Sequence, residues 1–130
     1  MIGYVLLFFL FGFLGWVIDT SYRSIQEGRY IAGTYFPFFA MVYAIGGMTL
    51  LLFFQSTMHI NILVQILVAG VLMTLLELIT GIFCIKILKK RLWDYSKNKW
   101  HYEGHIDLVH AFYWLLLAVV VRVVLPRLFF

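Results

Sequence analysis

The sequence predicts an all-α polytopic membrane protein: one domain over residues 1–130, built as a bundle of four transmembrane helices with both termini on the outer side. Three observations lead there. Hydrophobic residues make up 64% of the 130 positions and charged residues 12%, with a mean hydropathy of +0.97, which leaves too little polar surface for a soluble domain of this size. The apolar residues fall in long runs. The basic residues gather between the runs, as in loops that flank membrane spans.

The first run, Ile2 to Ile18, has no basic segment ahead of it and no A-x-A-like site after it, so it reads as a retained helix rather than a signal peptide. The second runs from Tyr35 to Phe54 and the third from Ile60 to Ile85. The third is longer than a span needs, which implies tilt or an interfacial end. The fourth runs from Ile106 to Leu125. The first loop holds Arg23 and Arg29, the second (Gln55 to His59) holds no Lys or Arg, and the third holds Lys86, Lys89, Lys90, Arg91, Lys97 and Lys99. Only Arg122 and Arg127 lie near the far end. The positive-inside rule then places loops 19–34 and 86–105 in the cytoplasm, beside anionic lipid. The net charge of +4 is accounted for in this way and is not a nucleic-acid signal. A single cysteine, Cys84, excludes an intramolecular disulfide framework and reads as a small buried thiol.

Glu77 is the residue that asks for an explanation. It lies inside the third run, nine residues before Lys86. At about 1.5 Å per residue its carboxyl sits roughly 13 Å deep, near the middle of a ~30 Å hydrocarbon layer. A charge there costs at least about 2.5–3.5 kcal/mol, so the residue faces a partner, a cavity or a protonation event. Helical spacing puts Gly70, Thr74, Glu77, Gly81 and Cys84 on one face, with Thr80 beside it. Gly12, Gly15, Asp19 and Arg23 share a face of the first helix, and Asp19 with Arg23 forms an i,i+4 pair. Ala40, Ala44 and Gly47 make a small-residue stripe behind Pro37. Small residues allow close helix packing in lipid. The charged group Asp19, Arg23, Glu77, Asp94, His105, Asp107 and His110 falls on the cytoplasmic side of the midplane, whereas Arg122 is expected to snorkel outward. The expected site is therefore a cytoplasm-facing polar pocket with Glu77 deepest. The alternative is a buried ion pair, such as Glu77 with Arg23, that fixes helix register.

In the third loop Trp93, Tyr95 and Trp100 suit the headgroup layer, and Asp94 can cap a turn with Ser96. The run His101 to Asp107, followed by His110, alternates ligand-capable residues but matches no metal spacing such as H-E-x-x-H, so neither a metal nor a cofactor is expected. Asp107 and His110 share a face at the start of the fourth helix and are expected to hydrogen-bond to each other or to lipid headgroups.

Several of these segments resemble, in order, the ABC-transporter permease family of the CmpB type, also called type IV, which shares its domain with small eukaryotic four-span proteins. They are Phe11-Gly12-Phe13-Leu14-Gly15-Trp16-Val17-Ile18-Asp19-Thr20 with Tyr22-Arg23-Ser24-Ile25, Glu77-Leu78-Ile79-Thr80-Gly81, Arg91-Leu92-Trp93-Asp94-Tyr95-Ser96, and Gly104-His105-Ile106 with Leu108 and Trp114. The resemblance covers nearly the whole chain. Two features depart from it. Asp19 stands where the family pattern has glutamate, and Gly33 to Ala40 keeps Pro37 but not the N-R-G and P-I-Y-G wording. The resemblance implies a bacterial plasma-membrane permease component. The chain carries no nucleotide-binding motif, so any ATPase would be a separate subunit.

Three functions fit the residues. In a transport component, acting as a homo-oligomer or with a partner subunit, Glu77 and Asp19 would bind a cation, proton or small polar solute beside Arg23. In a lipid-acting membrane enzyme, the carboxylates and histidines would supply acid and base. In a structural or assembly subunit of a membrane complex, the polar cluster would serve registry.

Overall fold

The computed structural model describes residues 2–129. Its helices are α1 (Ile2–Glu27), α2 (Met41–Ser56), α3 (Ile62–Lys86) and α4 (Leu108–Phe129), with a small hairpin, β1 (His101–Tyr102) and β2 (Ile106–Asp107), between α3 and α4. Three of the helices, all but α2, are long and apolar enough to cross a membrane. The protein is thus all-α with membrane-type helices, and it forms two compact units, Met1–Met48 and Thr49–Phe130.

In the first unit α1 outlasts its apolar run. It continues through Asp19 and Arg23, whose side chains pair at 2.9 Å along one face, and stops at Gly28, where φ is +68°. Ser24 then accepts from the Ile31 N–H at 3.0 Å and pins the returning chain. The glycine face of α1 is filled by aromatic side chains: any Cβ on Gly12 or Gly15 would overlap Phe39 or Tyr43. α2 starts at Met41 rather than at Tyr35. Pro37 lacks an N–H and disfavours helix in the residue before it, and Phe38 adopts φ 58°, so residues 34–39 form a tight turn closed by Thr34 Oγ1 donating to the Phe36 carbonyl at 2.8 Å. The 16 residues of α2 rise about 24 Å, short of a ~30 Å hydrocarbon layer.

In the second unit α3 packs along α4. Asn61 caps α3 by accepting from the Leu63 N–H at 2.9 Å, which moves the helix start from the expected Ile60 to Ile62. The buried stripe of α3 is Gln65, Ala69, Gly70, Met73, Glu77, Gly81 and Cys84, a spacing of three and four residues that follows one face from end to end. The buried residues of α4 are Trp114, Ala118 and Leu125, and Leu115 fills the notch at Gly70. α4 begins at Leu108, not Ile106, because Ile106 and Asp107 are paired in the hairpin as Tyr102 with Ile106 and His101 with Asp107. The hairpin turn carries positive φ at Glu103 (50°) and Gly104 (72°), the φ pattern of a type I′ turn, and closes with the His105 N–H donating to the Tyr102 carbonyl at 3.0 Å.

Gly81 lies against the hairpin. A Cβ at that position would come within 2.5 Å of His105 Nδ1. Gly81→Val is expected to destabilise the protein by about 1–3 kcal/mol through overpacking. Gly3→Ala, with nothing within 4 Å, is expected to leave stability within about 0.5 kcal/mol. Thermal unfolding in detergent checks both.

Candidate functional site

Glu77 sits two and a half turns from the α3 C-terminus, on the stripe that faces α4, and is 5% exposed. The chain leaves α3 at Lys86, and the Ile87 and Lys90 N–H groups return to the carbonyls of Phe83 and Cys84, closing the helix end. The following loop turns back over that end and lowers Tyr95 onto Glu77: the Tyr95 hydroxyl donates to Glu77 Oε2 at 3.1 Å. The Tyr95 ring lies flat on the His110 imidazole, with centroids 3.8 Å apart and planes 9° apart. His110 Nδ1 lies 2.7 Å from Asp107 Oδ1, within hydrogen-bond distance. The same oxygen accepts from the His110 backbone N–H at 2.7 Å, which makes Asp107 the N-cap of α4, and its other oxygen accepts from Asn98 Nδ2. Glu77, Tyr95, His110, Asp107 and Asn98 thus form one connected array drawn from α3, the loop and α4.

The rest of the loop holds this array in place. The Trp93 indole N–H donates to the His105 carbonyl at 2.8 Å, and the Tyr95 N–H donates to the Gly104 carbonyl at 2.9 Å. Arg91 reaches the Glu103 carbonyl with both terminal nitrogens at 3.3 Å. Asp94 accepts from the Ser96 N–H at 2.9 Å and lies 3.8 Å from Arg91. At Gly104 the positive φ and the space taken by Asp94 and Arg91 both exclude a side chain. Asp94 is exposed, and its hydrogen bonds from the Ser96 backbone and hydroxyl, with the Arg91 charge, hold its pKa below the usual carboxylate value. His105 is 4% exposed, and burial, reinforced by Arg91, lowers its pKa against the opposing charges of Glu103 and Asp94.

Glu77, Asp107 and His110 therefore come together, and Asp94 and His105 belong to the loop framework that carries Tyr95. Asp19 and Arg23 lie in the first unit, paired with each other. Thr80 spends its hydroxyl on the Leu76 carbonyl at 2.7 Å, and Cys84 is buried. Trp93 and Tyr95 do not act as headgroup anchors alone: each makes a specific hydrogen bond that fixes the loop. The sequence reading did not single out Asn98 or Gln65. Nothing local marks Asn98. Gln65 continues the Ala69, Met73 and Glu77 spacing, and that signal could have found it. The Arg122 Nε donates to Gln65 Oε1 at 2.8 Å, a partner that the sequence did not indicate. Among the described residues, no group of three His, Cys, Asp or Glu side chains converges as metal ligands would.

Two outcomes follow from this geometry. Tyr95→Phe removes the hydroxyl donor from a buried carboxyl and is expected to cost about 1–3 kcal/mol, read as a lower Tm with the helix content retained. His105 binds its proton less tightly folded than unfolded. The unfolded chain therefore takes up more protons as pH falls below about 6.5, and stability drops with pH from there through the folded pKa. His105→Gln is expected to flatten the fall in Tm between about pH 7 and pH 5.

The sequence was compared with known proteins. Residues 6–129 match the family described as "Putative ABC-transporter type IV". No curated protein and no solved structure matches the chain. The match spans nearly the whole chain and includes both the α3 stripe and the Trp93 to Ser96 loop segment, so the chain belongs to the Putative ABC-transporter type IV family.

Proposed function

We propose that the protein is the membrane-embedded permease component of a transporter, with a polar pocket around Glu77 that opens toward the cytoplasm. One observation carries the reading: the buried Glu77 carboxyl accepts a hydrogen bond from a hydroxyl delivered by a loop, not by another helix. A helix-borne partner would hold the carboxyl permanently. Tyr95 can leave when the 87–107 segment lifts, and Glu77 would then be offered to a cation, a proton or a small polar solute. The His110–Asp107 pair beneath the Tyr95 ring gives that displacement a defined resting position. Asp19 and Arg23, paired at 2.9 Å toward the end of α1, are a separate polar element of the first unit.

The remaining features of the proposal follow from composition. The basic residues of 19–34 and 86–105 favour the cytoplasmic face of a bacterial plasma membrane. Four spans require α2 to cross with help from its flanking residues or a locally thinner bilayer. A single 130-residue chain encloses little volume, so the working unit is a homo-oligomer or a complex with a separate partner, including an ATPase.

The test is purification of the tagged chain from its native membrane in mild detergent, followed by native mass spectrometry. A stoichiometric ATPase or second membrane subunit is expected. Glu77→Gln, which keeps a hydrogen-bond acceptor but cannot carry charge, is expected to leave that complex intact and abolish its ATP-dependent uptake. Uptake that survives Glu77→Gln would favour an assembly subunit. A homo-oligomer carrying only a defined lipid would favour a lipid-acting enzyme instead.

A further inference from the structure

The second unit has another polar cluster, at the opposite end of α3 from Glu77. Gln65 is 0% exposed, and its Nε2 donates to both the Thr57 carbonyl (2.5 Å) and Thr57 Oγ1 (3.0 Å). The Thr57 hydroxyl spends its own hydrogen on the Phe53 carbonyl at 2.7 Å, so toward Gln65 it can only accept. These bonds fix the amide's orientation and turn Oε1 toward Arg122, whose Nε donates to it at 2.8 Å. A rigid buried acceptor thereby aims a guanidinium. Nε is the only donor of the five that the bond occupies. Among the described residues, no carboxylate pairs with Arg122 and no protein acceptor meets its two terminal nitrogens.

Depth identifies what those nitrogens face. Gln65 is the fourth residue of α3, roughly 5 Å along the helix from its start. Arg122 is therefore level with the outermost turn of a spanning helix, where phospholipid phosphates lie rather than acyl chains. Arg122 is half-buried, and the α4 residues beside it, Val123 and Val124, are exposed and aliphatic, as on a face toward lipid. A guanidinium fork matches two phosphate oxygens bidentately. We propose that Arg122, oriented by Gln65 and Thr57, binds the phosphate of a membrane phospholipid on the face where the α2–α3 loop lies. The site depends only on the membrane character of the helices, so it stands or falls independently of the permease reading.

The test is thermal unfolding of the purified chain in detergent, titrated separately with phosphatidylglycerol, with diacylglycerol of the same acyl chains, and with inorganic phosphate. Phosphatidylglycerol is expected to raise Tm saturably, while diacylglycerol is not. Arg122→Gln is expected to weaken the half-saturation at least about tenfold. Arg127→Gln, an equal charge loss at an exposed position on the same end, is expected to leave it unchanged. Should Arg122→Gln fail to fold, Arg122→Lys keeps the charge without the fork and is expected to show the same direction of change. An unaltered phosphatidylglycerol titration in either Arg122 variant would overturn the proposal. So would saturation by inorganic phosphate alone, which would assign a soluble phosphate. Loss of oligomer mass on Arg122→Gln without a change in the lipid titration would overturn it as well, assigning a carboxylate from a second chain.

Discussion

The hydrogen bond from Tyr95 to Glu77 is the constraint around which the second unit is arranged. A carboxyl that is 5% exposed on a largely apolar helix must be met by polar groups of the protein. The chain answers with a loop. Tyr95 reaches Glu77 only because the segment after α3 folds back over the helix end. That return path accounts for features with no other evident purpose: the notch at Gly81 that admits His105, the positive φ of Gly104, and the indole of Trp93 on the His105 carbonyl. Asp107 joins the loop to α4, since one carboxylate caps the helix, orients His110 and holds Asn98.

The Tyr95 hydroxyl is carried on the loop between α3 and α4, while the carboxyl it meets is carried on the buried stripe of α3. The opposite end of α3 is built differently. There Gln65 is fully buried and its partners come from helix ends, so the guanidinium it aims has little freedom. One helix thus carries a polar group met by a loop at one end and a polar group met by residues of the neighbouring helices and turn at the other.

Much of the helical framework was legible in the sequence, and the reasons for the rest are physical. Hydrophobic runs locate the membrane-facing parts of helices, and the α3 stripe from Gly70 to Cys84 could be read from spacing alone. Runs do not locate helix ends. α1 continues nine residues past Ile18 because its last turns are polar but helical, stopping only at Gly28, and α2 is delayed to Met41 by the turn around Pro37 and Phe38. The hairpin escaped because its turn is Glu103-Gly104 and not the Asn-Gly or Asp-Gly pair that signals such turns. Glu77 could be recognised as significant, but not its partner. Tyr95 is 18 residues away, and Arg122 is 57 residues from Gln65. Both pairings depend on how a loop or a second helix returns, which no local pattern encodes.

The most direct measurement is a double-mutant cycle on thermal stability in detergent, using Tyr95→Phe, Glu77→Leu and the two together. If the hydroxyl and the carboxyl hold each other, the effects are non-additive, with a coupling of about 1 kcal/mol or more, because each single variant already removes their shared hydrogen bond. Additive effects, within about 0.3 kcal/mol, would mean that Tyr95 and Glu77 do not interact and that the loop is held over α3 by other contacts.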